Sequence, residues 1–136
     1  MDDETTPMGE VRAALRAFNA ARDWSRYHNP RNLAMALTVE SAELLELYLW
    51  SADDGPQPPV PAREPRVAEE AADVLITLLN FCEAAGIDLT RAVEVKLLRN
   101  AEKYPADASR GRLEKWSELS KGRSAATADD GSEPRE

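Results

Sequence analysis

Glu40 and Glu43 stand three residues apart, as do Glu70 and Asp73, with 26 residues between the two pairs. Side chains at i and i+3 share one helix face, so two facing helices would bring four carboxylates into one cleft. Such a cleft needs countercharge, from basic side chains or from a hard divalent cation. Mg²⁺ prefers oxygen ligands, keeps several waters and commonly bridges carboxylates to a substrate phosphate. The plainer reading is that the acids are solvated or paired with Lys and Arg, because E-x-x-E is a common helical pattern. The position of Glu40 weighs against it. At 100° per residue, Leu33, Ala36, Leu37, Leu44 and Leu47 all fall within about 60° of Glu40. Glu43 lies on the shoulder of that stripe and Glu46 further out. An ionised carboxylate on a core face costs several kcal/mol unless it is paired or binds a cation. A leucine there would contribute roughly 1.5–3 kcal/mol instead. On the other helix the apolar face centres between Ala71 and Val74, with Glu70 on its shoulder and Asp73 beyond it on the same side.

Other chemistries are narrower. The chain has one cysteine, Cys82, and one histidine, His28. That excludes an internal disulfide, a cysteine-built zinc site and any site needing two imidazoles. A diiron or dimanganese carboxylate bundle needs Glu-x-x-His on two helices, and no glutamate stands three residues before His28. Lys96 and Asn100 lie one turn apart, with Tyr104 a turn beyond. A lysine can be a point-charge phosphate ligand and an asparagine can orient a water, or the lysine simply snorkels past an apolar edge. Trp24, Tyr27 and His28 crowd one connection, and Trp50 falls on the Glu43 side of its segment. Aromatic rings and an imidazole there could sandwich a nucleobase, or cap a core.

The elements that must position these groups read as helix. Val11, Ala14, Leu15 and Phe18 recur at i, i+3, i+4 and i+7. A second segment after Pro30 carries Leu33, Ala36, Leu37, Leu44 and Leu47. A third runs from about Arg66 to Ala85 with Val67, Ala71, Val74, Leu75, Leu78 and Cys82 on one face. Gly86 stops it, and Asp88 can cap a fourth bearing Leu89, Val93, Leu97 and Ala101. Pro56, Pro58, Pro59, Pro61 and Pro65 make the intervening stretch a connection. No alternating β pattern of useful length occurs. The expectation is an all-α fold: an antiparallel four-helix bundle over residues 8–119, preceded by a loose 1–7. A tail, 120–136, lacks large apolar side chains and is expected to be disordered.

The 136 residues suit one domain, and 17 basic against 25 acidic side chains give a net charge of −8. An acidic chain without a basic cluster is a poor nucleic-acid partner. No apolar run is long enough to span a membrane, and the acidic Met1-Asp2-Asp3-Glu4 start is unlike a signal peptide, so the sequence predicts a cytoplasmic protein.

These residues resemble the all-α nucleoside triphosphate pyrophosphohydrolases of the MazG-like group, most closely the dCTP pyrophosphatase branch. The matching stretches are RDWSRYHNPRNL (22–33), ESAELLELYLW (40–50), EAADVLITLL (70–79) and KLLRNAEKYP (96–105), with Ser109-Arg110-Gly111 and Lys115-Trp116 beyond. The ordered set of two acidic pairs followed by K-x-x-x-N-x-x-x-Y-P is far more specific than either pair alone. The resemblance implies Mg²⁺-dependent hydrolysis of a nucleoside triphosphate, dCTP or a modified dCTP, to the monophosphate and pyrophosphate. It implies metal ligation by Glu40, Glu43, Glu70 and Asp73. Lys96, Asn100 and Tyr104 would lie near the phosphates; His28, Trp50 and Trp24 near the base. Glu43 or Glu46 would orient or deprotonate water, and Lys96 would stabilise phosphate charge. It also implies a homo-oligomer, dimer or tetramer. Thr77 departs from the branch, which carries an aromatic one turn after the second acid. A phosphoribosyl-ATP-type pyrophosphohydrolase and a noncatalytic helical interaction module are the rival readings.

Overall fold

Asn29 opens the central helix of the molecule. Its side-chain oxygen accepts the Asn32 backbone N–H at 2.9 Å, and Pro30 takes the first helical position, where a missing N–H costs nothing. A computed structural model describes residues 1–49 and 64–112. In chain order it contains α1 (Met8–Ala20), a single 3₁₀ turn (Trp24–Tyr27), α2 (Pro30–Glu46), α3 (Glu64–Ala84), α4 (Leu89–Lys103) and the one-turn α5 (Ala106–Ser109). Among the described residues there is no strand, and the all-α expectation holds. Among the described residues no helix is long and apolar enough to cross a membrane. The Pro-rich connection up to Arg63, Trp50, Lys115, Trp116 and the tail lie outside the described residues.

The first of two compact units ends at Leu89. Within it α2 packs chiefly on α3, and α1 packs on another side of α3. Both pairings are antiparallel. Glu40 meets Asp73 while Glu46 shares a recess with Arg66. Arg12 meets Glu83 while Asn19 meets Asn80. Partner numbers fall in one helix as they rise in the other. Leu33, Leu47, Leu79 and Cys82 form the buried core.

Three local expectations change. Cys82, on the apolar face read from the sequence, is buried as expected, but Leu79, off that face, is equally buried, because α3 buries two sides rather than one. Phe18 is not core: Trp24 meets its ring edge-on at 5.7 Å, and the Arg22 guanidinium sits 3.6 Å above it. Residues 1–7 are not loose. The Asp2 carboxylate accepts the backbone N–H groups of Glu4 and Thr5 and the Thr5 hydroxyl, which holds its pKa below the usual range.

Gly86, at φ 65°, takes the left-handed conformation that ends α3, and Ile87 N–H returns to the Cys82 carbonyl at 2.8 Å. The second unit begins at Thr90. Its main helix, α4, buries none of its side chains, and Val93, Leu97 and Leu98 are exposed. The apolar periodicity that marked this helix is present in it.

Candidate metal centre

Two antiparallel helices with acids at i and i+3 must bring those acids together if their faces meet. Glu40, Glu43 and Glu70 each offer a carboxylate oxygen, and the three oxygens lie within 4.8 Å of one another. Glu40 and Glu70 are half-buried, and Glu43 is exposed. Asp73 is exposed and stands outside that trio, yet its charge acts on Glu40 more strongly than that of either glutamate. Burial raises the Glu40 pKa most, with repulsion from Asp73, Glu43 and Glu70 adding to it. No ion pair among the described residues reaches any of the four acids.

The donor set suits a hard divalent cation. Two oxygens on opposite sides of one octahedral ion at about 2.0–2.1 Å stand roughly 4.2 Å apart, so the trio is close to ligating separation as it stands. Such an ion would also replace the countercharge the helices lack. The hydroxyl protons of α2 do not go to the acids: Thr38 donates to the Ala34 carbonyl at 3.1 Å and Ser41 to the Leu37 carbonyl at 2.7 Å.

Glu46 falls outside the trio. One turn beyond Glu43, it lines a recess of about 310 Å³ with Leu47, Leu49 and Arg66. Arg66 carried no signal in an apolar-periodicity reading. What could have exposed it is its spacing, four residues before Glu70 and so on the same side of α3. Thr77, one turn past Asp73, is buried. His28 is half-buried where the 3₁₀ turn ends, its N–H on the Ser25 carbonyl at 3.2 Å. Trp24 is half exposed and meets Phe18 with one ring edge. In the second unit Lys96 is exposed and Asn100 half-buried. Tyr104 N–H bonds the Asn100 carbonyl at 2.8 Å, which extends the one-turn spacing of the three residues past the helix end.

The chain is all-α, with paired acids on adjoining antiparallel helices, and comparison with known proteins gives its family. The MazG-like family pattern matches residues 35–119. The dCTP pyrophosphatase 1 of Rattus norvegicus is 40% identical over 115 residues, covering 83% of this chain and 68% of that protein. The Homo sapiens counterpart is 39% identical over the same coverage. A crystal structure of a pyrophosphatase from Archaeoglobus fulgidus superposes with a TM-score of 0.65 at 37% identity, over 77% of this chain and 98% of that one. The chain belongs to the MazG-like family of all-α nucleoside triphosphate pyrophosphohydrolases.

Proposed function

We propose that this chain is a Mg²⁺-dependent enzyme that cleaves a (deoxy)nucleoside triphosphate, dCTP or a modified dCTP, to the monophosphate and pyrophosphate. Its role would be housekeeping of the nucleotide pool. The observation that carries this reading is the convergence of Glu40, Glu43 and Glu70 without a basic partner, with the Glu40 pKa raised by burial and by its acidic neighbours. The names of the relatives supply the substrate class.

Glu40, Glu43, Glu70 and Asp73 would hold the ion. When bound, Mg²⁺ neutralises phosphate charge and positions the polyphosphate. Glu43, the exposed member of the trio, is the choice to orient the attacking water and accept its proton, because Glu46 faces a separate recess. The water oxygen bonds to the α phosphorus as the bridge to the β phosphorus breaks, and pyrophosphate leaves. For Lys96, Asn100 and Tyr104 the proposal is phosphate binding, on residue type and spacing alone. His28, Trp24 and Trp50 are proposed for the base on the family resemblance. The working domain is proposed as residues 8–119. Assembly as a homo-oligomer, dimer or tetramer, is proposed with support from the exposed apolar side chains of α4.

The test is a product assay with each canonical NTP and dNTP and 5-substituted dCTP, in Mg²⁺ and in EDTA. Monophosphate with equimolar pyrophosphate, lost in EDTA, is expected. Orthophosphate with a diphosphate, or turnover indifferent to EDTA, would overturn the proposal.

A further inference from the structure

Two aromatic rings stand on the 3₁₀ turn, and the fold treats them differently. Tyr27 is exposed, with the Arg26 guanidinium 5.4 Å from its ring centre. Trp24 is held against α1. Its ring meets Phe18 edge-on at 5.7 Å. The Arg22 guanidinium touches both rings, 3.6 Å from the centre of Phe18 and 5.9 Å from that of Trp24. Arg22 is itself fixed, because its Nη1 donates to the Phe18 carbonyl at 3.1 Å.

The stack closes over a tight turn of backbone. Asp23 takes the left-handed conformation, φ 53°, which a short polar side chain tolerates, and its carboxylate accepts from Arg26 at 3.1 Å. Phe18 is anchored through its neighbour Asn19, which is buried and donates to Asn80 of α3 at 2.8 Å. At the other end of the turn, Asn29 caps α2. The turn is therefore tied at both ends to helices that pack on α3, the helix that carries Glu70 and Asp73.

Rings that only completed a core would be covered. Trp24 keeps 47% of its surface exposed and Phe18 46%, so burial does not account for the stack. What the contacts do is hold an exposed indole in one orientation. A ring ordered before binding loses little conformational freedom when a planar ligand stacks on it, so the benefit falls on affinity rather than on the chemical step.

We infer that Phe18 and Arg22 are positioning residues, which hold the Trp24 indole as a preformed stacking surface for a nucleobase. This rests on the assignment of Trp24 to the base under the nucleoside triphosphate reading, and deepens it by naming the residues that set Trp24 in place. Both act through Trp24.

The experiment measures kcat and KM for dCTP in the full chain with Mg²⁺. The proteins are the wild type, Phe18→Leu, Phe18→Tyr, Arg22→Gln, Trp24→Ala and the Phe18→Leu, Trp24→Ala double variant. Melting temperatures and equilibrium binding of dCMP are measured on the same set. Phe18→Leu is expected to raise KM about ten-fold and to change kcat by less than about two-fold. Phe18→Tyr keeps the ring and should keep the wild-type KM. Arg22→Gln is expected to raise KM about three-fold. Trp24→Ala should raise KM at least as much as Phe18→Leu, and the double variant should be no worse than Trp24→Ala alone. A purely structural role for Phe18 would instead lower the melting temperature and add its loss to that of Trp24→Ala. Additive losses, or an unchanged KM in Phe18→Leu beside a raised one in Trp24→Ala, would overturn the inference and leave Trp24 on the base. An unchanged KM in Trp24→Ala would remove Trp24 from the base and the inference with it. Absence of turnover in the wild type would defeat the pyrophosphohydrolase reading. The dCMP affinities then decide: losses in Phe18→Leu and Trp24→Ala that do not add keep the positioning role, and additive or absent losses reject it.

Discussion

The two sides of α3 solve the same problem in opposite ways. Both carry polar side chains against another helix. On the α1 side every charge meets its opposite: Arg12 and Arg16 reach the Glu83 carboxylate at 3.2 and 3.3 Å, and the buried Asn19 donates to Asn80 at 2.8 Å. On the α2 side, Glu40, Glu43 and Glu70 gather with Asp73 nearby, and no base among the described residues offsets them. A polar contact that closes on itself needs nothing from outside and serves packing. A cluster left with uncompensated charge is stable only if the fold tolerates a cost, and that cost is what a bound cation can relieve. The difference between the two sides separates a structural use of polarity from a chemical one.

Substituting the open side should give the largest effect. Glu40→Gln is expected to lower kcat by about 10³-fold, roughly 4 kcal/mol in the barrier. It should also abolish Mg²⁺-dependent thermal stabilisation. Wild-type turnover in that variant would erase the distinction drawn between the two sides. Mg²⁺ itself comes next. At 100 times its dissociation constant it should stabilise the wild type by about 2.7 kcal/mol, read as an upward shift in Tm that EDTA reverses. A Tm indifferent to Mg²⁺ would leave the acids without their counter-ion.

The closed side should respond in stability alone. Asn80→Ala strands the buried Asn19 amide and is expected to cost about 1–3 kcal/mol in denaturant unfolding, with kcat unchanged. A matching loss of kcat would show that both sides serve the reaction. Smaller still is the metal-free pH response of Glu40. Its raised pKa means that the fold disfavours the ionised form. The stability of the neutral carboxyl is therefore complete below the ordinary glutamate pKa and is lost as pH rises through the higher folded value. In EDTA, Glu40→Gln should melt a few degrees above wild type near neutrality and lose that advantage in acid. Equal melting curves at both pH values would mean that Glu40 is solvated in the fold. Glu83→Gln should be smallest, under about 1 kcal/mol and shrinking with salt, because its partners are exposed.

Much of this was legible in residue types and spacing. Pro30 after Asn29 starts α2, and Gly86 ends α3, because local backbone chemistry decides both. Glu40 in the middle of a leucine stripe declared itself a misfit before any partner was known. Periodicity could not tell that α3 buries two sides. It therefore missed Leu79 and Asn19, and it counted Phe18 as core when Arg22 and Trp24 cover it locally. In α4 the apolar repeat is real and its side chains are exposed, since a repeat records a face and not what covers that face.

The sequence by itself determined the helices, the two acidic pairs and the poor fit of Glu40, because these follow from interactions within a few residues. Which acids meet was a tertiary decision. Antiparallel packing of α2 on α3 sets Glu40, Glu43 and Glu70 together, leaves Asp73 at the edge, and sends Glu46 to face Arg66. Those outcomes depend on how two helices are aligned along their axes, and a one-turn slip would change every partner while leaving each helix's own pattern intact.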